Sequence, residues 1–166
     1  WAMWALGEIR PDEPRALSAM LKALETPYWR ITVAEMLGDW GDRRAVEPLI
    51  RHLQDPTSPG RPNMALALGH LGDKRAGKAL LAAMKDRDDP YLRVYAARGL
   101  GELKLKEAVE PLIGMLRSDD WDERLAAAIA LGQIGEPRAV DALVKAKDDP
   151  EDADALGDTD VGQEVF

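Results

Sequence analysis

Cysteine is absent from this 166-residue chain. Disulfides and thiolate metal ligation are therefore excluded, and a reducing compartment such as the cytoplasm is the expected setting. Histidine is scarce: His52 and His70 stand apart, each followed by a leucine. Two isolated imidazoles do not make a zinc site, and both read as surface residues of a helix or turn. Aromatics are 5% of the chain against 46% apolar residues in all, so the core is built from Ala, Leu, Val and Met. That suits close helix packing better than a sheet, where β-branched and aromatic residues dominate. No apolar run reaches the roughly 18 residues of a membrane-spanning helix, and Trp1 follows no signal-peptide pattern. No nucleophile elbow or phosphate loop is present, so no catalytic constellation is expected.

A basic excess is missing too. The chain has 22 Lys and Arg against 30 Asp and Glu. From Asp148 to Phe166 there are eight acids and no Lys or Arg, so the first 147 residues carry 22 of each sign. A formally neutral body lacks the basic stripe of a nucleic-acid-binding surface. Arg43, Arg44, Lys74, Arg75, Lys106 and Arg138 do cluster at the starts of helices, but neighbouring Asp residues are expected to neutralise them. In the tail, Asp152, Asp154, Gly157 and Asp160 fall at EF-hand loop positions. Leu156 and Gln163 stand where ligands are needed, which points instead to a solvated acidic tail or a cap.

What the chain does have is a repeat. RITVAEMLGDWGDRRAVEPLIRHL, from Arg30, returns from Arg61, Arg93 and Arg124, and a cut copy opens the chain. Gly7, Gly38, Gly69, Gly101 and Gly132 recur at intervals of 31, 31, 32 and 31 residues, the period of a solenoid. Each of these glycines is expected to end a first helix. A second Gly three residues on (Gly41, Gly72, Gly135) suits a left-handed turn. The fourth copy has Lys104 there, so its turn is expected to be strained or reshaped. Asp42 and Asp73 then suit an N-cap better than Glu136 does. The second helix reads Ala45, Val46, Leu49, Ile50, Leu53, and again Ala108, Val109, Leu112, Ile113, Leu116, an amphipathic stripe. Pro48 and Pro111 are tolerated only in a first turn, which places the helix starts near Val46 and Val109. First helices, such as Leu125 to Leu131, are apolar nearly all round and need neighbours on several sides. Arg30, Arg61, Arg93 and Arg124 follow the links between copies, where they are expected to pair with link acids in a ladder. Trp40 reads as core, and Trp29 and Trp121 lie in links. The cut opening copy, with Trp1 and Trp4, reads as an excerpt of a longer stack.

The phrases LGDWGDRRAVEPLI, LGHLGDKRAGKALL and LGQIGEPRAVDALV resemble HEAT repeats of the short type called phycobilisome-lyase HEAT-like repeats. The resemblance spans residues 1–147. It implies an all-α solenoid, a right-handed superhelix of about four and a half helix-pair copies at 1–29, 30–60, 61–92, 93–123 and 124–147, with 148–166 as the acidic tail. It also implies that the second helices line a concave face. Carried to this chain, that face holds Glu47, Arg51, Lys78, Ala82, Glu110, Gly114, Asp141 and Lys145. Their signs alternate from copy to copy, which suits a protein partner better than a polyanion.

The expected function is a non-enzymatic scaffold or adaptor that binds another protein along this face. No cofactor, metal, nucleic acid or membrane is involved, and the chain is a monomer or stacks end to end. The alternative is a subunit of a phycobilin lyase, since the namesake family includes subunits that attach bilin chromophores to phycobiliproteins. The di-iron hydroxylases among HEAT proteins bind iron through His-Glu pairs, and this sequence has none.

Overall fold

The computed structural model describes residues 14–147. Among the described residues are nine α-helices and no strand. In chain order they are α1 (Pro14–Leu24), α2 (Arg30–Trp40), α3 (Val46–Gln54), α4 (Arg61–His70), α5 (Gly77–Ala83), α6 (Pro90–Glu102), α7 (Val109–Met115), α8 (Trp121–Ile134) and α9 (Val140–Lys147). A three-residue 3-10 turn leads into each of α3, α5, α7 and α9. The helix starts at Val46 and Val109 fall where Pro48 and Pro111 require, since each proline then occupies the first turn, where its missing amide has no helical acceptor.

The even-numbered helices form one layer, α2 on α4, α4 on α6 and α6 on α8. The odd-numbered helices form the second, each packed on the first helix of the next copy: α1 on α2, α3 on α4, α5 on α6 and α7 on α8. Each copy thus closes its core only against its neighbour. The result is one continuous apolar cluster running from Leu17 to Ala139. Alanine makes this possible in the first layer, where Ala34, Ala65, Ala67, Ala96, Ala97, Ala127 and Ala130 are all buried.

The repeated Gly does something other than end the helix. α2, α6 and α8 continue one or two residues beyond Gly38, Gly101 and Gly132. Gly38, Gly69 and Gly101 are instead points of close approach. A Cβ on them would lie 2.9 Å from the Ala67 Cα, 2.7 Å from the Gly99 Cα and 2.7 Å from the Ala130 Cα, respectively. The chain turns at the second Gly, with φ of 71° at Gly41, 63° at Gly72 and 69° at Gly135. Lys104 takes the same left-handed conformation at φ 48°, the one non-Gly residue among those described to do so. The reshaped turn of that copy is therefore a standard turn held by an unsuited residue.

Asp42 and Asp73 cap their 3-10 turns, accepting from the amides of Arg44 at 2.9 Å and Arg75 at 3.0 Å. Glu136 makes no such bond; its carboxylate reaches Lys106 at 2.6 Å. The four link arginines form the expected ladder, and its chemistry goes further than ion pairing. Each guanidinium first caps the end of the preceding second helix or its link: Arg30 donates to the carbonyls of Leu24 and Glu25, Arg61 to Leu53, Arg93 to Asp86, and Arg124 to Ser118 and Asp119. Three then reach the next copy, Arg30 to the Ser58 hydroxyl at 3.2 Å and Arg61 to Asp86 at 3.0 Å in links, and Arg93 to Glu123 in the first turn of α8 at 2.6 Å. Carbonyls with no helical donor and adjacent copies are thus tied by one side chain.

Candidate functional site: the second-helix face

The odd-numbered helices expose one row of positions per copy, and the eight residues expected there separate into groups. Glu47 accepts from Arg75 Nη1 at 3.2 Å, while Arg75 Nη2 donates to the Arg43 carbonyl of the previous copy. Arg138 repeats this, donating to the Lys106 carbonyl at 2.9 Å and lying 3.8 Å from Glu110. The sequence carries the swapped pair, Lys78 and Glu107, at the equivalent positions between them. The alternating signs therefore follow a copy-to-copy charge pattern inside the chain. That signal was present in the sequence, but only a comparison of Glu47, Lys78 and Glu110 with the turns one copy later could have found it. Arg51 lies 3.5 Å from Glu25. Lys78, Ala82, Gly114, Asp141 and Lys145 are exposed.

Of the six basic residues at the starts of the second helices, Arg44 and Arg75 are neutralised by an Asp as expected, while Lys106 and Arg138 lie near Glu136 and Glu110. Arg44 grips Asp42 at 2.6 Å and Arg75 grips Asp73 at 2.8 Å. The Arg75 guanidinium and amide hold the Asp73 carboxyl down at about 2, and those of Arg44 hold Asp42 below the usual range. His52 corrects the surface reading: it is buried at 8% exposure, 3.5 Å from Glu25, with Nε2 lacking a hydrogen-bond partner. Burial, aided by the Arg30 charge, pushes its pKa down. His70 is exposed as expected, between Asp39 at 3.7 Å and Glu102 at 3.6 Å. Trp40 packs against the core. The acidic tail, its EF-hand-like positions, Trp1 and Trp4 lie outside the described residues.

Two clefts flank the C-terminal end of α7 and meet at Arg117 and Ser118. One, of about 300 Å³, lies toward α9 and includes Ile113, Ala142 and Lys145. The other, of about 330 Å³, lies toward α5 and includes Met84, Lys85, Gly114 and Met115. Gly114 thus borders one cleft and Lys145 the other. Among the described residues no group of three His, Asp or Glu side chains converges to hold a metal ion, and no helix is long and apolar enough to cross a membrane.

Stacked antiparallel helix pairs, a single ribbon of core and an exposed second layer define an α-solenoid, a class whose working surface is the face of its repeats. The HEAT-repeat family model matches residues 17–93 and 77–157, and the PBS lyase HEAT-like repeat matches 1–26. The chain belongs to the HEAT-repeat family. It is 46% identical over 54 residues to the phycocyanobilin lyase subunit alpha of Synechococcus elongatus, covering 32% of this chain and 20% of the relative. It is 44% identical over 68 residues to the same subunit of Microchaete diplosiphon, covering 36% and 23%. A solved structure, the complex of CpcE and CpcF of phycocyanin lyase from Nostoc sp. PCC7120, superposes with a TM-score of 0.70 at 29% identity. That match covers 87% of this chain and 62% of the other. The matches thus span only about a fifth of the relatives' own length. These likenesses overturn the expectation of a chain unconnected with enzymes. The proteins it resembles are lyase subunits, and the absence of a catalytic constellation misled the sequence reading because a subunit need not carry one.

Proposed function

We propose that the chain is part of a subunit of a phycobilin-lyase-like complex that attaches a chromophore to an acceptor protein. Its role there is to hold a partner protein on the second-helix face. The observation that carries this reading is the likeness to the CpcE–CpcF complex, at 29% identity over 87% of the chain. The exposed second layer with its paired clefts supports it, because such a surface positions a partner without contributing a nucleophile. Holding two reactants in register supplies a large part of a rate enhancement by itself.

The test is co-expression with a second lyase subunit of the CpcF kind, an apo-phycocyanin subunit and a source of phycocyanobilin. The expected result is a complex of the two lyase chains that yields acceptor carrying covalent, visibly absorbing bilin. An uncoloured acceptor together with no complex sinks the proposal.

A further inference from the structure

We infer that the paired clefts around α7 recognise an acidic segment of the partner protein, an extended stretch of Asp or Glu with interspersed apolar anchors. The inference rests on the lyase-subunit reading for the existence of a partner. The charge of the clefts argues for the kind of segment. Lys85 borders one cleft, Lys145 the other, and Arg117 both. All three are exposed, and none has a salt bridge among the described residues. The acids beside them do not compensate fully. Glu123 is committed to Arg93 and to the Ser118 hydroxyl, which donates to it at 2.8 Å. Asp119 also lines one cleft, where its backbone carbonyl accepts from Arg124 Nη1 and its single carboxylate stands against three cations. Three uncommitted cations in a chain of net charge −8 form a local field that attracts an anion and repels a cation.

The shape argues for a segment rather than a small molecule. Lys85, Arg117 and Lys145 belong to three successive copies. The first-layer helices of these copies, α4, α6 and α8, pack in succession, so at roughly 8–10 Å per copy the row spans about 20 Å, which an extended peptide of about six residues matches. Both clefts are open, whereas small-molecule sites enclose most of their ligand. Their floor is apolar and adaptable, with Met84 and Met115 on one side and Ile113 and Ala142 on the other. Flexible thioethers accept varied apolar anchors.

The experiment is fluorescence anisotropy on the full chain with a fluorescein-labelled octapeptide, Glu-Leu-Asp-Glu-Leu-Asp-Glu-Leu. The wild-type chain is expected to bind it, with affinity falling as NaCl rises. Arg117→Glu and Lys145→Glu are each expected to weaken binding at least tenfold. Lys85→Glu provides an independent third reading, and far-UV circular dichroism checks that each variant is folded. Lys74→Glu, outside the clefts, is expected to leave binding unchanged. Equal binding by Arg117→Glu and wild type overturns the inference, as does an equal loss in Lys74→Glu or displacement by stoichiometric succinate, which would mark a small carboxylate site. Binding that emerges only after the acids of residues 148–166 are changed to amides also overturns it and reassigns the clefts to the chain's own tail. If the lyase complex forms and the peptide does not bind, only acidic recognition fails. If the peptide binds and no complex forms, the lyase reading fails.

Discussion

His52 shows what burial does to a titrating group. The imidazole sits on α3 with its Nε2 lacking a partner, and its pKa is pushed below the usual 6.5 by desolvation and then by Arg30. Between the folded and unfolded pKa values the unfolded chain takes up a proton that the folded chain refuses. Stability is therefore full above about pH 6.5 and falls as the pH drops toward the folded value. Urea midpoints between about pH 5 and 7.5 should show this slope, and His52→Gln should flatten it. Asp42 and Asp73 act in the same direction in a lower window. Their carboxyls are held down by Arg44 and Arg75, so their contribution is present above the ordinary carboxylate pKa and is lost on further acidification. Lys104 is the opposite kind of residue, a side chain in a glycine conformation at φ 48°. A left-handed L-residue costs about 1–2 kcal/mol. Lys104→Gly is therefore expected to stabilise the chain by about 1 kcal/mol, read as a rise in Tm of a few degrees.

Between helices the decisive quantity is distance, and the period of the sequence announced it only in part. The recurrence of Gly was legible, and so was the solenoid. The reason for the first Gly was not, because a one-dimensional pattern does not distinguish a helix stop from a backbone contact. The contact explains why Gly38, Gly69 and Gly101 sit inside helix ends. Gly101→Ala would drive its methyl to 2.7 Å from the Ala130 Cα, a backbone atom that cannot step aside. It should destabilise by roughly 1–3 kcal/mol, as overpacking does. Gly132 occupies the same place in the last described copy and has nothing among the described residues within 4 Å of such a methyl. Gly132→Ala should therefore be neutral or slightly stabilising in the same denaturation assay. The arginine ladder belongs to this scale as well. Arg93 binds the Asp86 carbonyl and both bonds and pairs with Glu123, which is only 6% exposed. Arg93→Ala leaves that buried carboxylate without its cation, and a loss of about 3 kcal/mol in unfolding free energy is expected. Arg93→Lys should recover only part of it, because its single nitrogen replaces the three that Arg93 spreads between the Asp86 carbonyl and the Glu123 carboxylate.

Across the whole stack, charges on the second-helix face carry a message that the sequence displayed but did not explain. Glu47, Lys78 and Glu110 alternate in sign, which by itself reads as a mixed binding surface. Arg75 and Arg138 supply the reason at two of the three steps, since each faces the acid one copy earlier. The third step is recoded as a unit. Leu105 stands where Asp42, Asp73 and Glu136 stand in the other turns, Glu107 replaces the arginine, and Lys78 replaces the earlier acid. At this step the acid and the base of the pair are thus exchanged relative to the other two. Lys78→Glu alone should then put an acid at both positions of this step and cost about 0.5 kcal/mol at low salt, an effect that 1 M NaCl removes. Adding Glu107→Arg should restore stability, since the step then matches its neighbours. The double variant also separates architecture from recognition. It keeps the stack intact while reversing the exposed charge at position 78, so a folded double variant that no longer assembles with the proposed lyase subunit of the CpcF kind would place Lys78 in the docking surface itself. One that assembles normally would confine Lys78 to the copy-to-copy ladder and leave docking to the clefts around α7.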